Sequence, residues 1–266
     1  MSKIEWTDKT WNPIIGCSKI SEGCQNCYAE KMAFRLAHMP HTDYYSFVLD
    51  DNKEEDTEKF KYIPEWNGKT HLVESAFKKP YTWKKPQKIF VCSMGDLFHE
   101  SVPFEWIDRV MEVIITNPRH TFQILTKRPA RMLEYFERIA MRVPINAWLG
   151  VTVENQRMAY ERIPFLNALS AKVKFVSIEP MLEEIDLDEA LRHTLKYHAG
   201  GLKNCINWVI VGGESGVNAR PIKLNWVQAI RRECAFGNTP FFFKQWGKHK
   251  KGSELYGQQF KEFPNV

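Results

Sequence analysis

Ala147-Trp148-Leu149-Gly150-Val151-Thr152 is one of six short apolar runs, rich in β-branched and aromatic residues, in a chain of 266 residues. Runs of this length and composition predict buried β-strands. The six runs begin at residues 88, 121, 147, 173, 207 and 240, so successive starts lie 33, 26, 26, 34 and 33 residues apart. This spacing leaves room for one helix between neighbouring strands, which is typical of a repeated β-loop-α-loop unit.

Helical patterns fill the intervals between these runs. The apolar periodicity predicts helices over 104–115, 130–140 and 226–234, and a further helix over 28–37. With residues 11–15 as a first strand, the chain has about seven parallel strands. We therefore expect an α/β fold, a partial or closed parallel (β/α) barrel of about 6–7 strands that resembles a TIM barrel.

One domain is expected to span residues 1–266. Residues 38–85 interrupt the pattern, since they contain the acidic stretch 50–56 and many aromatic residues without clear periodicity. A long connection of this kind predicts an insertion or lid over a functional site. Gly68-Lys69-Thr70 does not qualify as a phosphate loop, because Ile63 occupies the position of the first glycine.

Polar side chains follow the apolar runs directly. In a parallel barrel these positions share the carboxyl edge of the strands, where such folds build their sites. Ordinary polar loops would give a similar pattern, but charges after six successive strands favour a site. The residues concerned are Asp96, His99, Lys127, Arg128, Glu154, Asn155, Glu179, Glu214, Ser215, Lys244 and Gln245.

The loop after the first strand carries three of the six cysteines, Cys17, Cys24 and Cys27, spaced C-x6-C-x2-C. Three thiolates on one loop can hold three irons of a cubane cluster, or fill three of the four positions around zinc. Unligated thiols are the remaining alternative. Gly16 and Gly23 give the loop the freedom to turn the sulfurs toward one point.

The composition is that of a globular protein, with 44% hydrophobic residues and a net charge of +5. No apolar run reaches the ~18 residues of a membrane span, and the first residues lack a hydrophobic signal region. We therefore expect a cytoplasmic protein, where clustered cysteines favour metal chemistry over disulfides. Cys92, Cys205 and Cys234 are scattered among apolar residues, which predicts buried structural thiols.

The segment 78–88 combines lysines with Tyr81 and Trp83. Basic residues interleaved with aromatic ones are typical of nucleic-acid-binding surfaces, although a solvated basic face would look the same. We select Lys84, Lys85 and Lys88 as candidate nucleic-acid-binding residues. Replacing all three is expected to weaken DNA or RNA binding and to flatten its dependence on salt.

Asn12-Pro13 and Gly16-Cys17, with Cys24-x-x-Cys27-Tyr28-Ala29, resemble the cluster loop of radical S-adenosylmethionine (SAM) enzymes, in particular the spore-photoproduct-lyase-like branch. That branch has three residues between its first two cysteines, whereas this loop has six. The longer spacing resembles the phage-associated three-Cys-motif family. Further stretches similar to that family are 91–98, 125–129, 148–155, 177–181 and 211–216.

The resemblance implies a fold of the radical SAM type with a [4Fe-4S] cluster on Cys17, Cys24 and Cys27. The open iron would chelate SAM, whose reductive cleavage yields a 5′-deoxyadenosyl radical that removes a hydrogen atom from substrate. Within this scheme Asp96 is the first candidate for the SAM ammonium group. The other candidate cofactor-binding residues are Lys127 and Arg128 for an anionic group, Glu154 and Glu179 for ribose or the ammonium group, and Gly213 with Glu214 for close approach to a ligand.

The resemblance also implies a reductant for the cluster and favours a nucleic acid or nucleotide substrate, with a partner protein left open. Two alternatives remain at this point. The first is a zinc-binding nucleic-acid-binding or interaction protein, with His38 or His99 as the fourth ligand. The second is a cluster that serves structure or electron transfer without SAM. For Gly212-Gly213-Glu214-Ser215-Gly216 the alternative to ligand contact is a plain glycine turn after a strand.

Overall fold

The computed structural model describes residues 4–50, 65–138, 142–194, 202, 205–216, 218–250 and 252–266. The strands in these ranges are β1 (Lys9–Trp11), β2 (Ile14–Ile15), β3 (His71–Leu72), β4 (Lys88–Val91), β5 (Thr121–Thr126), β6 (Ala147–Thr152), β7 (Lys174–Ile178), β8 (Trp208–Gly212), β9 (Phe241–Gln245), β10 (Glu254–Leu255) and β11 (Gln258–Gln259). The helices are α1 (Tyr28–Ala37), α2 (Lys79–Thr82), α3 (Phe104–Thr116), α4 (Pro129–Arg138), α5 (Gln156–Ala168), α6 (Leu187–Thr194) and α7 (Leu224–Phe236).

Seven strands form one parallel sheet in the order β1-β4-β5-β6-β7-β8-β9. The sheet curls into a half-barrel. The predicted α/β fold with a partial parallel barrel is confirmed at this level. Strands β5 and β6 occupy their predicted residues, whereas β7, β8 and β9 each begin one residue later than predicted.

The predicted first strand over residues 11–15 is wrong. The sheet strand β1 ends at Trp11, and β2 leaves the sheet to pair antiparallel with β3. Asn12 and Pro13 separate the two strands, and proline has no N–H to offer to a neighbouring strand. This break turns the chain away from the sheet just before the cysteine loop.

The two faces of the sheet have different cores. On the convex side, alternate strand residues such as Leu149 and Val209 pack with the helices in one large cluster. The concave side is closed by a second cluster, in which Trp208 is fully buried. That cluster contains Trp6, Phe90, Trp148, Val173, Phe175, Trp208, Ile210 and Phe242. We call this second cluster the aromatic floor. Side chains two residues apart along a strand point to the same face of the sheet, so the aromatic floor lies on the concave face, below the polar residues that end the same strands.

Part of the predicted insertion, residues 38–85, packs on the first helix. Trp66 donates its backbone N–H to Glu30 Oε1 at 3.0 Å, and β3 pairs with β2 beside the cysteine loop. Tyr45 and Trp66 are both buried. Residues 51–56 of the predicted acidic stretch 50–56 lie outside the described residues. The described part of the excursion therefore forms a wall beside α1.

Glu233 of α7 accepts hydrogen bonds from the backbone N–H groups of Leu187 (2.9 Å) and Asp188 (3.2 Å) at the start of α6. Burial, together with Asp186 and Asp188, raises the pKa of Glu233 to about 7. Between the usual carboxyl pKa and 7 the folded chain therefore binds more protons than the unfolded chain, so stability falls as pH rises through this window.

We expect Glu233→Gln to remove this part of the pH dependence. The free energy of unfolding of the variant should gain on the wild type between pH 5 and pH 8, with a slope of at most about 1.4 kcal/mol per pH unit. Urea titrations at several pH values measure the difference. Glu137→Gln, on the exposed side of α4, is the control and should show no such trend.

Candidate cofactor site at the carboxyl edge of the sheet

A cavity of about 690 Å³ opens at the carboxyl edge of the half-barrel. It descends from the strand ends toward the aromatic floor, because Trp6 and Phe90 also line it. Most of the predicted site residues meet here. Its lining includes Cys17, Cys24, Cys27, Asp96, Lys127, Arg128, Glu179, Gly213 and Glu214. The structure thus places all three loop cysteines in one cavity with six of the seven predicted cofactor-binding residues.

Arg128, at the end of β5, fixes the first half of the cysteine loop. Its Nη2 donates to Ser18 Oγ at 2.8 Å and its Nη1 lies 3.7 Å from Cys17 Sγ. The same guanidinium group donates to Asp96 Oδ2 at 3.3 Å and to both carboxylate oxygens of Glu100 at 2.8–2.9 Å. We call Arg128 and its four partners (Cys17, Ser18, Asp96 and Glu100) the Arg128 clamp.

Asp96 accepts three hydrogen bonds besides the one from Arg128. Thr126 Oγ1 and the Phe98 N–H donate to Oδ1 at 2.7 and 3.0 Å, and the Lys127 N–H donates to Oδ2 at 3.1 Å. The side chain is only 7% exposed. Both carboxylate oxygens are thus used within the protein, which makes Asp96 an anchor between the loops after β4 and β5.

Glu214, after β8, fixes the second half of the cysteine loop. It forms a two-point ion pair with Arg220, at 2.6 and 2.9 Å, and accepts from Asn26 Nδ2 at 3.0 Å. Arg220 Nη2 also donates to the Glu22 carbonyl at 2.9 Å. Burial raises the pKa of Glu214, but the Arg220 hydrogen bonds outweigh it and leave the pKa below its usual range. We call Glu214, Arg220, Asn26 and the Glu22 carbonyl the Glu214 clamp.

Glu154, after β6, lies beneath the cysteine loop and does not line the cavity. Its Oε2 accepts from Arg162 Nη1 at 2.9 Å, and both side chains are almost completely buried. Oε1 is buried without a hydrogen-bond partner among the described residues. A Cβ atom on Gly23 would lie 3.1 Å from this oxygen, so the loop passes closely over the carboxylate at this glycine.

Two cavity residues keep polar atoms open to a ligand. Lys127 is partly exposed, and its Nζ has no hydrogen-bond or ion-pair partner within the described ranges. Glu179 Oε1 accepts from Lys244 Nζ at 2.7 Å and from Gln245 Nε2 at 3.2 Å. Because both bonds go to Oε1, the other carboxylate oxygen stays available.

The thiols of the loop differ in their electrostatic surroundings. Burial, followed by Asp96, raises the pKa of Cys17 to about 12. Burial also raises the pKa of Cys24, but Lys127 and hydrogen bonds with the backbone of Ile20 and Ser21 outweigh it, so the pKa is lowered overall. Since the thiolate is the metal-binding form, Cys24 is better prepared than Cys17 to bind a metal.

In the part of the chain that the structure describes, no three His, Cys, Asp or Glu side chains converge tightly enough to hold a metal ion. The donor chemistry nonetheless fits an iron–sulfur cluster, because three thiols from one loop face one cavity. It fits zinc less well. Both ring nitrogens of His99 are engaged, Nε2 with Ser18 Oγ at 2.8 Å and Nδ1 with Ser101 at 2.9 Å, and His38 Nδ1 contacts the Phe34 carbonyl of its own helix.

The remaining cysteines are separate from this loop. Cys92, Cys205 and Cys234 are buried, as predicted, and all six cysteines are free thiols. Cys92 follows β4 with a positive φ of 56°. This backbone turn explains why β4 ends at Val91, two residues before the predicted end of the strand.

The predicted nucleic-acid-binding lysines do not meet the cavity. Lys88 begins β4, so it lies at the amino edge of the sheet, opposite the cysteine loop. Its Nζ lies 4.6 Å from the Phe263 ring centroid. Lys84 and Lys85 are exposed just before this strand. The three lysines thus lie close together at the amino edge of the sheet, a position that the sequence pattern did not indicate.

Four residues of the two clamps were not selected from the sequence: Ser18, Asn26, Glu100 and Arg220. Ser18 and Asn26 lie inside the cysteine motif, so their position was a usable signal. Arg220 pairs with Glu214 only six residues away. Its further bond to Glu22 spans 198 residues, and no local pattern reveals such a contact.

The comparison with protein families decides where the chain belongs. A family model described as "Protein of unknown function (DUF5131)" matches residues 1–264. The chain belongs to the DUF5131 family. No curated protein and no solved structure matches this DUF5131 chain. Among its described residues, none of the helices combines the length and the apolar character needed to cross a membrane.

Gly16 gives a direct test of the loop geometry. It has a φ of +94°, and an added Cβ would lie 2.2 Å from the Lys69 carbonyl oxygen. Gly68 has a φ of +78° with nothing within 4 Å of its Cβ position. We expect Gly68→Ala to lower the free energy of unfolding by about 1 kcal/mol, from backbone strain alone, and Gly16→Ala by about 2–3 kcal/mol. Equal losses in urea unfolding would show that the contact with Lys69 does not constrain the loop.

Proposed function

We propose that this DUF5131 protein is an iron–sulfur enzyme of the radical SAM type, related to the phage-associated three-Cys-motif family, with a radical SAM or TIM-like partial barrel. In this proposal Cys17, Cys24 and Cys27 hold a [4Fe-4S] cluster. The observation that carries it is the meeting of the three thiols with Lys127 and Glu179 in one cavity at the carboxyl edge of a parallel half-barrel. That edge is where folds of this class build their sites.

The geometry divides the candidate residues into two roles. Asp96, Arg128 and Glu214 hold the cysteine loop, since their polar atoms are used within the clamps. Lys127 and Glu179 are the groups we assign to SAM. Lys127 offers an ammonium group to the SAM carboxylate, and the available oxygen of Glu179 accepts from the SAM ammonium or a ribose hydroxyl.

When bound, the cluster and SAM supply one-electron cleavage of a sulfonium and hydrogen-atom abstraction from substrate, and an external reductant provides the electron. The protein supplies position and shelter. A Cβ atom on Gly213 would lie 2.3 Å from the Trp246 carbonyl oxygen, so only glycine fits at this point of the cavity lining. Tyr45, Trp66 and Phe90 form apolar walls that keep water from the reacting atoms.

The test begins with anaerobic reconstitution with iron and sulfide. We expect a brown protein that absorbs broadly in the blue part of the visible spectrum and holds about four irons per chain. Incubation with SAM and dithionite should then release 5′-deoxyadenosine. Cys24→Ala should lose the colour and the product, whereas Cys234→Ala, a buried cysteine in α7, should keep both.

Two outcomes contradict the proposal. A colourless protein with one zinc per chain after reconstitution identifies the alternative, a zinc-binding nucleic-acid-binding or interaction protein. A brown protein that cleaves no SAM identifies a cluster used for structure or electron transfer. We propose the reducing cytoplasm as the compartment, because free thiols and an oxygen-sensitive cluster persist there. The substrate class we propose is a nucleic acid or nucleotide.

A further inference from the structure

Three lysines from segments that are far apart in sequence lie at the carboxyl edge of the sheet or in the elements that follow it. Lys31 lies on α1, and its Nζ is 3.3 Å from the Cβ position of Gly216 in the loop after β8. Lys127 lines the cavity after β5. Lys250 follows β9, with its Nζ 4.5 Å from the ring centroid of Trp246. We call Lys31 and Lys250 the lysine rim, whereas Lys127, which we assign to SAM, lies in the cavity itself.

The loop that carries Lys250 is fixed to this edge of the sheet. The Lys248 N–H donates to the Glu214 carbonyl at 3.2 Å, and His249 Nε2 lies 2.5 Å from the Ala219 carbonyl. A Cβ atom on Gly247 would lie 2.3 Å from the Glu214 carbonyl oxygen. The basic loop after β9 therefore rests directly on the Glu214 clamp, beside the cysteine loop.

An aromatic side chain lies among these charges. Tyr28, the first residue of α1, lines the cavity and is 49% exposed. Its hydroxyl group donates to the Ser93 carbonyl at 2.8 Å, which holds the side chain at the mouth. Met32 lies one turn further along α1, lines the same cavity and is 41% exposed. The mouth thus carries an anchored aromatic ring, and Lys31 follows it by three residues on the same helix.

We infer that this mouth is a binding surface for single-stranded nucleic acid, with the lysine rim contacting phosphates and Tyr28 stacking on a base at the cavity entrance. Lysines that follow a backbone and an aromatic ring that accepts any base are the two parts of such surfaces. An acidic partner protein would not need the ring. The inference rests on the proposed function for its chemistry, and it moves nucleic-acid binding from Lys84, Lys85 and Lys88 to the opposite edge.

The experiment measures binding of a fluorescein-labelled 12-nucleotide single-stranded DNA, and of the same sequence as RNA, to the purified protein without iron, sulfide or SAM. Lys31→Gln/Lys250→Gln should weaken binding by about tenfold at low salt and lower the slope of log K against log salt by about 1.4, for two phosphate contacts. The matched control Lys84→Gln/Lys85→Gln removes the same charge from the amino edge and should bind like the wild type.

Tyr28→Leu should weaken binding by about tenfold through lost stacking. Its control is Tyr81→Leu, another exposed tyrosine whose hydroxyl bonds to Thr116. Circular dichroism checks that each variant is folded. The inference is overturned if the control lysines matter as much as Lys31 and Lys250, or if polyglutamate competes as well as DNA and Tyr28→Leu has no effect.

The two proposals can fail separately. Rim-dependent DNA binding by a protein that forms no cluster leaves the binding surface established and removes the radical SAM function. A brown protein that cleaves SAM but binds oligonucleotides independently of Lys31, Lys250 and Tyr28 supports the radical SAM function and removes the proposed binding surface.

Discussion

Replacement of Arg128 by alanine is expected to lower the free energy of unfolding by about 3–5 kcal/mol, because it leaves the buried Asp96 carboxylate without its ion-pair partner. Arg128 and Asp96 expose only 4% and 7% of their side chains. The same change removes the hydrogen bond to Ser18 and the contact with Cys17. Under the proposed function, we therefore also expect the folded fraction of the variant to hold fewer irons per chain after reconstitution than the wild type.

The matched control is Arg157→Ala. Arg157 pairs with Glu161 on the surface of α5, and the two side chains are 80% and 49% exposed. Exposed pairs of this kind contribute about 0.5 kcal/mol or less. Urea unfolding of both variants gives the comparison. A loss at Arg128 no larger than at Arg157 would mean that the Arg128 clamp does not stabilise the fold.

The second large effect is expected at Arg162. Arg162→Met leaves Glu154 buried, charged and without its ion-pair partner, which should cost about 3–5 kcal/mol. Arg162 also donates to the Thr152 carbonyl at 2.8 Å, so a second buried acceptor loses its donor. The variant Glu154→Leu/Arg162→Met should recover most of the stability, since it removes both charges from a completely buried position.

The same double variant separates the two roles considered for Glu154. Under the proposed function, a stable double variant should bind and cleave SAM as the wild type is expected to do if Glu154 serves only to support Gly23 and the cysteine loop. If the unpartnered Oε1 contacts the cofactor, SAM binding should fall while stability is kept. Equilibrium binding of SAM to the reconstituted protein, measured beside urea unfolding, distinguishes these outcomes. Failure of the double variant to regain stability contradicts the buried-pair account.

The fold was largely predictable because its signal is local. Each buried strand of a parallel sheet is a continuous apolar run, and the runs at 121–126 and 147–152 coincide with β5 and β6. The helix α1 also has its predicted bounds. The error at residues 11–15 arose because two apolar stretches flank Asn12 and Pro13, and composition alone does not say that the second stretch pairs with β3 instead of the sheet.

The site was predictable as a place, but the roles within it were not. Topology alone brings residues that follow successive strands to one edge, and Asp96, Lys127 and Glu179 meet there. Whether a carboxylate is available to a ligand depends on the donors around it. Asp96 is occupied by Arg128 and by the Lys127 N–H, 32 and 31 residues away. Arg220 lies only six residues from Glu214, but no pattern in the local sequence marks the pair.

The Glu214 clamp has a consequence for biosynthesis. The hydrogen bond from Asn26 to Glu214 spans 188 residues, and the bond from Arg220 to Glu22 spans 198. The thiols therefore leave the ribosome long before Glu214 and Arg220, so the second half of their loop is secured only after strands β4 to β8 have been made. Until Arg220 has been made the Glu214 clamp cannot form, so we expect the proposed cluster to be inserted only after that point.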